Sequence, residues 1–102
     1  DIGKYFPSDD DRWEGVASRL FLSDVHGKIK SAGYQINNID STIILAKPRL
    51  AQYTSDIINN LAKILEIDRS KLSVKATTTD GLGFIGDGSG WGVLAIVSLS
   101  DK

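Results

Sequence analysis

An α+β domain with two helices packed on one face of a mixed sheet is what this sequence predicts, and three observations predict it. Two segments carry apolar residues at helical spacing, three runs read as strands, and their order is helix, strand, helix, strand, strand after an aperiodic start. The 102 residues suit one domain spanning 1–102, since a chain of this length buries about 60–70% of its unfolded surface in a single modest core.

Residues 1–16 are rich in Gly, Pro, Asp and Ser without periodicity, and read as an ordered loop pinned by Tyr5, Phe6 and Trp13. Ser18 is a candidate helix N-cap. Phe21, Leu22, Val25, Ile29 and Ala32 then recur at helical spacing up to Gly33, a stop signal. Residues 34–46 pass through Ile36, Ile39 and Ile43 into a continuous apolar run, which predicts a long strand partly buried on both faces and ended by Pro48. From about Leu50 to Leu65 the apolar residues trace a second amphipathic helix, with Gln52, Asp56, Asn59, Asn60 and Lys63 on its other side. Asp68 to Lys71 is a turn, Leu72 to Ala76 a short strand, 77–90 a Gly-rich loop, and Trp91 to Leu99 an apolar closing strand.

Composition narrows the function classes. Twelve basic against thirteen acidic residues leave no basic footprint for nucleic acid, which disfavours a ferredoxin-like nucleic-acid module. No apolar run approaches the ~20 residues of a membrane span, and the absence of Cys rules out disulfides within the chain. With one His and no Cys, a three-ligand catalytic zinc site can hardly be assembled from these residues alone. There is also no Met, so Asp1 is read as lying downstream of a segment removed or unseen, and the chain is expected to be a fragment.

The stretch richest in chemistry is Lys75-Ala76-Thr77-Thr78-Thr79-Asp80-Gly81-Leu82-Gly83-Phe84. It leads a strand into three hydroxyls, a carboxylate and a glycine turn, groups that donate to phosphate oxygens or hold the cation that neutralises them. Thr and Asp also make ordinary strand ends and turns, so these residues alone do not decide between site and scaffold. Gly81-Leu82-Gly83-Phe84-Ile85-Gly86 matches the dinucleotide fingerprint G-x-G-x-x-G and follows a strand. It fails the next requirement, because Asp87-Gly88-Ser89-Gly90 and another strand follow where a nucleotide-binding unit needs a helix. His26 falls at the edge of the first helix's apolar face and is read as structural.

Together with Asp1-Ile2-Gly3, Phe6-Pro7 and Leu45-Ala46-Lys47-Pro48-Arg49-Leu50-Ala51, this stretch resembles the 2-C-methyl-D-erythritol 2,4-cyclodiphosphate synthase family along the whole chain. The resemblance implies a phosphorus-oxygen lyase of isoprenoid biosynthesis. Such an enzyme closes 4-diphosphocytidyl-2-C-methyl-D-erythritol 2-phosphate into a cyclodiphosphate and releases CMP. It implies that Asp1 and Gly3 hold the ribose, that the methylerythritol contact falls on Ser8, where the family has Asp, or moves to Asp9, and that Asp10, matching a recurring family Asp, is a further substrate contact. Pro48, Arg49 and Leu50 would close over the cytosine, and Ala76, Thr77, Thr78 and Phe84 would contact substrate, Thr78 and Asp80 being the catalytic pair. Asp80 would carry magnesium or manganese with a reach about 1.5 Å shorter than the family's usual Glu. Zinc would be held by ligands upstream of Asp1, outside this chain, so the 102 residues alone are expected to bind CMP weakly without cyclising substrate.

The resemblance further implies a homotrimer with shared active sites in the bacterial cytoplasm or the plastid stroma. The apolar run Val93–Val97 gives that assembly a physical motive, since so small a domain does not easily cover both sheet faces. Asp87 stands where many members have Arg facing a cavity on the threefold axis, which reverses the charge there. The alternative reading is a non-catalytic nucleotide-binding or assembly subunit on the same scaffold, distinguished by carrying no zinc.

Overall fold

The structure, a computed structural model, describes residues 2–102 except the side chain of Trp13. The expectation for Asp1 therefore lies outside the described residues. The start of the chain is more regular than its composition predicts. Ile2–Tyr5 form a one-turn helix, α1, and Asp11–Trp13 a single 3-10 turn. That turn is fixed by Asp10, whose carboxylate accepts from the Arg12 backbone N–H at 3.0 Å and from its guanidinium at 2.7 Å. Phe6 is buried and meets Phe21 edge to face, ring centroids 4.9 Å apart, which anchors this segment on the next helix.

That helix, α2, runs Ser18–Ser31. The cap is Ala17 rather than Ser18: Ala17 is extended and its carbonyl accepts the Leu20 N–H at 3.0 Å, so the first turn closes on backbone without a side-chain oxygen. Its end is as the sequence predicts, with Ala32 as the last cap and Gly33 at φ +90°, a conformation open to Gly at no steric cost. The second amphipathic segment begins later than Leu50. Ala51–Tyr53 form a 3-10 turn, and α3 proper spans Thr54–Leu65. At its end Glu66 is left-handed (φ 55°) and ion-pairs with Lys30 at 3.3 Å, tying the last turns of the two helices together.

Three strands, β1 (Tyr34–Ile44), β2 (Leu72–Thr77) and β3 (Gly92–Asp101), form one sheet in the order β2-β1-β3. The sheet is mixed, since β1 runs parallel to β2 and antiparallel to β3. The predicted isoleucines 36 and 39 are three apart, an odd spacing that would send them to opposite faces of a regular strand. A register shift between Ile36 and Asn38 removes the conflict: Asn37 is the extra residue, and it exchanges hydrogen bonds with Ser98 and Ser100. Ile36 is buried, Ile39 pairs with the buried Leu72, and Leu65 of α3 joins them in a small core under the helices. Burial on both faces extends only to the second half of β1, where Ser41–Ile44 are all half-buried.

β3 is an edge strand with both faces open, and Leu94 and Ile96 on its helix-free face are 68% and 75% exposed. Across that face, Lys75 donates to the Asp40 carboxylate, which holds Asp40 below the usual carboxylate range. No helix among the described residues is long and apolar enough to cross a membrane.

Candidate functional site

The parallel pair β1/β2 ends at the match Ile44↔Thr77, and one further bond, Leu45 N–H to the Thr77 carbonyl at 3.1 Å, extends the ladder before the chains part. Where they part, a cleft of about 260 Å³ opens. Such a position, beyond the carboxyl ends of parallel strands, is where open sheets commonly seat ligands. One wall is the turn after β1, with Leu45, Ala46, Pro48, Arg49, Leu50 and Ala51; the other is Ala76, Thr77 and Thr78 from the end of β2. The Lys47–Pro48 peptide in the first wall is cis.

The structure thus brings together six of the predicted substrate contacts: Pro48, Arg49, Leu50, Ala76, Thr77 and Thr78. One wall offers apolar surface, turn backbone and the Arg49 side chain, and the other offers the Thr77 and Thr78 hydroxyls, that of Thr77 donating to the Thr78 carbonyl in a long bond of 3.5 Å. Thr78 Oγ1 accepts the Asp80 backbone N–H at 3.2 Å, which uses a lone pair and leaves the hydroxyl proton to be donated. Leu45, Ala46 and Ala51 complete the first wall. Their apolar side chains carry no chemical signal, and only the pairing of β1 with β2 makes them walls.

The other predicted residues are not part of this lining. Gly3 lies in α1 and Ser8 on an exposed turn, while Phe84 sits exposed in α4 (Gly83–Gly86), the one-turn helix formed within the Gly-rich loop. Asp10 is engaged with Arg12, whose guanidinium holds its carboxyl below the usual range. His26 is half-buried on α2, away from this cleft. Asp87 caps its own turn, accepting the Ser89 N–H at 2.8 Å, and the Ser89 hydroxyl first and this N–H second hold its carboxyl below the usual range.

Asp80 is exposed, left-handed at φ 55°, and two residues from Thr78. A single carboxylate beside hydroxyl donors fits magnesium, which commonly takes one or two carboxylates and completes its shell with waters and substrate phosphates. Zinc does not fit in the same way, because among the described residues no three His, Cys, Asp or Glu side chains converge.

Residues 1–100 match the YgbB family. The chain belongs to that family. A curated relative, the 2-C-methyl-D-erythritol 2,4-cyclodiphosphate synthase of Lachnospira eligens, is 49% identical over 100 residues, 98% of this chain and 55% of that protein. The synthase of the same name from Clostridium acetobutylicum is 48% identical over 90 residues, 88% of this chain and 58% of its own. This YgbB-family chain therefore spans little more than half the length of those relatives. Among solved structures, the bifunctional IspDF from Campylobacter jejuni aligns with TM-score 0.95 and 33% identity over 100% of this chain and 28% of that one. A CDP complex of IspF from Plasmodium falciparum aligns with TM-score 0.86 and 32% identity over 100% of this chain and 60% of that one.

Proposed function

We propose that this YgbB-family chain contributes the nucleotide and phosphate end of a 2-C-methyl-D-erythritol 2,4-cyclodiphosphate synthase site. The observation that carries the reading is the cleft itself. Two segments 28 positions apart, Pro48–Leu50 and Ala76–Thr78, were each expected at one substrate, and they form its facing walls. The Plasmodium relative, 32% identical with a TM-score of 0.86, is a CDP complex, and a diphosphocytidyl group has the flat ring and the anionic tail that the two walls suit.

The reaction is an intramolecular phosphoryl transfer. A 2-phosphate oxygen attacks the β-phosphorus, the new P–O bond closes the eight-membered ring, and the bond to the α-phosphate oxygen breaks to release CMP. Such a step depends on holding the groups in line and on spreading charge, more than on an acid–base pair. The turn Pro48–Leu50 fixes the base, Thr77 and Thr78 donate to phosphate oxygens, and Asp80 is the magnesium ligand. Magnesium, when bound there, supplies positive charge to the diphosphate oxygens. Gly3, Ser8, Asp10 and Phe84 lie outside this cleft, and their assignment to substrate is part of a reading in which a neighbouring copy completes the site. The open apolar face of β3 supports such an assembly, a homotrimer.

The test pairs binding with turnover. With magnesium and the diphosphocytidyl substrate, ³¹P NMR of the full-length protein should show ring closure and CMP release. Thr78→Val should slow it by about tenfold to a hundredfold, the usual cost of one hydrogen bond to a charged group. CDP that fails to bind the cleft, read from shifts of the Ala76–Thr78 amides, would overturn the proposal.

A further inference from the structure

The glycine spacing that imitates a dinucleotide fingerprint has a different origin in the folded loop. A Cβ on Gly86 would stand 2.2 Å from the carbonyl carbon of Gly81 and 2.6 Å from its oxygen. Both partners are main chain, so no side chain could swing aside to make room. The backbones of Gly81 and Gly86 are therefore in contact, and the chain between them forms a closed ring. Three hydrogen bonds fasten it: Gly86 N–H and the Thr79 hydroxyl both donate to the Leu82 carbonyl, at 3.0 and 2.7 Å, and Leu82 N–H donates to the Thr79 carbonyl at 3.1 Å. Asp80 enters the ring in the left-handed conformation, next to Gly81 at φ +84°. Its N–H is the group that donates to Thr78 Oγ1. An unbroken path of contacts thus leads from the bare Cα of Gly86, through Gly81 and Asp80, to the hydroxyl on the cleft wall.

We infer that Gly86 is a positioning residue for the phosphate end of the cleft: its missing side chain lets the ring close, and the closed ring holds the Asp80 N–H on Thr78. Thr78 then has one lone pair engaged and one proton to give, and it presents that proton to a phosphate oxygen rather than to its own backbone. The inference rests on the proposed reading of the cleft as a cytidine diphosphate site.

The two ends of that ligand separate a positioning role from general damage. Binding of CDP and of cytidine is titrated by NMR for the wild type, Gly86→Ala, Thr79→Val and Thr78→Val, each checked for native circular dichroism. Gly86→Ala should weaken CDP about tenfold, the value of a charge-assisted hydrogen bond, and leave cytidine unchanged because cytidine has no phosphate. Thr79→Val, which keeps the shape of the side chain and removes one bond of the ring, should show the same split at about threefold. If Gly86→Ala does not fold, Thr79→Val alone decides. Equal losses for the two ligands, or unchanged CDP affinity in a folded ring variant while Thr78→Val loses it, would overturn the inference and leave the cleft assignment standing. CDP binding no tighter than cytidine in the wild type, or unaffected by Thr78→Val, would overturn the phosphate reading and this inference with it.

Discussion

Replacing both Leu94 and Ile96 with Thr tests whether the open face of β3 is an interface between copies of this chain. Complete burial of an exposed Leu or Ile is worth about 1.5–3 kcal/mol. With 68% and 75% of their surfaces exposed, the two side chains have roughly 1–2 kcal/mol each left to gain, or about 2–4 kcal/mol per protomer. Threonine keeps the β-branch of Ile96 and brings one to position 94, which suits a strand, so the fold of the separate chain should be nearly indifferent to the change. An assembly that buries this face should dissociate about 30-fold to 700-fold more readily per protomer, at one decade per 1.4 kcal/mol. Sedimentation velocity at micromolar protein should find the wild type as a trimer and the double variant as a monomer with unchanged circular dichroism. A monomeric wild type, or a double variant that still assembles, would refute the argument.

Two further outcomes follow from the scaffold. Leu65, the most buried side chain of the small core at 2% exposure, should cost about 2–5 kcal/mol on truncation in Leu65→Ala; urea denaturation measures it, and a loss below about 1 kcal/mol would mean that Ile36 and Leu72 close over the gap. Asp10 titrates below its ordinary 3.8, first because of its side-chain hydrogen bond to Arg12. A depressed folded pKa contributes stability that is present above 3.8 and lost as pH falls through the folded value. The local turn should therefore loosen only in that acid window, and Arg12→Ala should move the Asp10 titration, followed by NMR, back up toward the ordinary value.

Local signals carried most of the secondary structure. Phe21, Leu22, Val25 and Ile29 marked α2 and Gly33 its end, because helical period and a left-handed stop are properties of neighbouring residues. What stayed hidden is non-local or depends on competing local bonds. Nothing in residues 34–46 announces that Asn37 is supernumerary; its bulge exists only against Ser98 and Ser100 of β3. Ser18 has the right chemistry for a cap, yet the turn closes one residue earlier on the Ala17 carbonyl. The Gly-rich stretch was legible as a loop and its context already excluded a dinucleotide turn, but nothing in it announced that its glycines permit contact between residues 81 and 86.

For the site, the hydroxyls and the Pro turn were legible as chemistry, and their meeting was not. Pro48 and Thr77 are brought face to face because β1 lies beside β2 and runs parallel to it, so both strands release their chains at the same end of the sheet. Had the hairpin-like order β1-β2-β3 with antiparallel neighbours been adopted, β2 would run back toward the start of β1, and Thr77 and Thr78 would be carried away from Pro48. The α3 crossover prevents this. It carries the chain from the end of β1 back to the beginning of β2, as a parallel connection must, and its Leu65 is buried in the core. The chemistry of the cleft therefore depends on a helix that contributes no side chain to its lining. A Leu65→Ala variant that loosens α3 should weaken both ends of a bound nucleotide together, unlike the phosphate-selective loss expected from the Gly81–Gly86 ring.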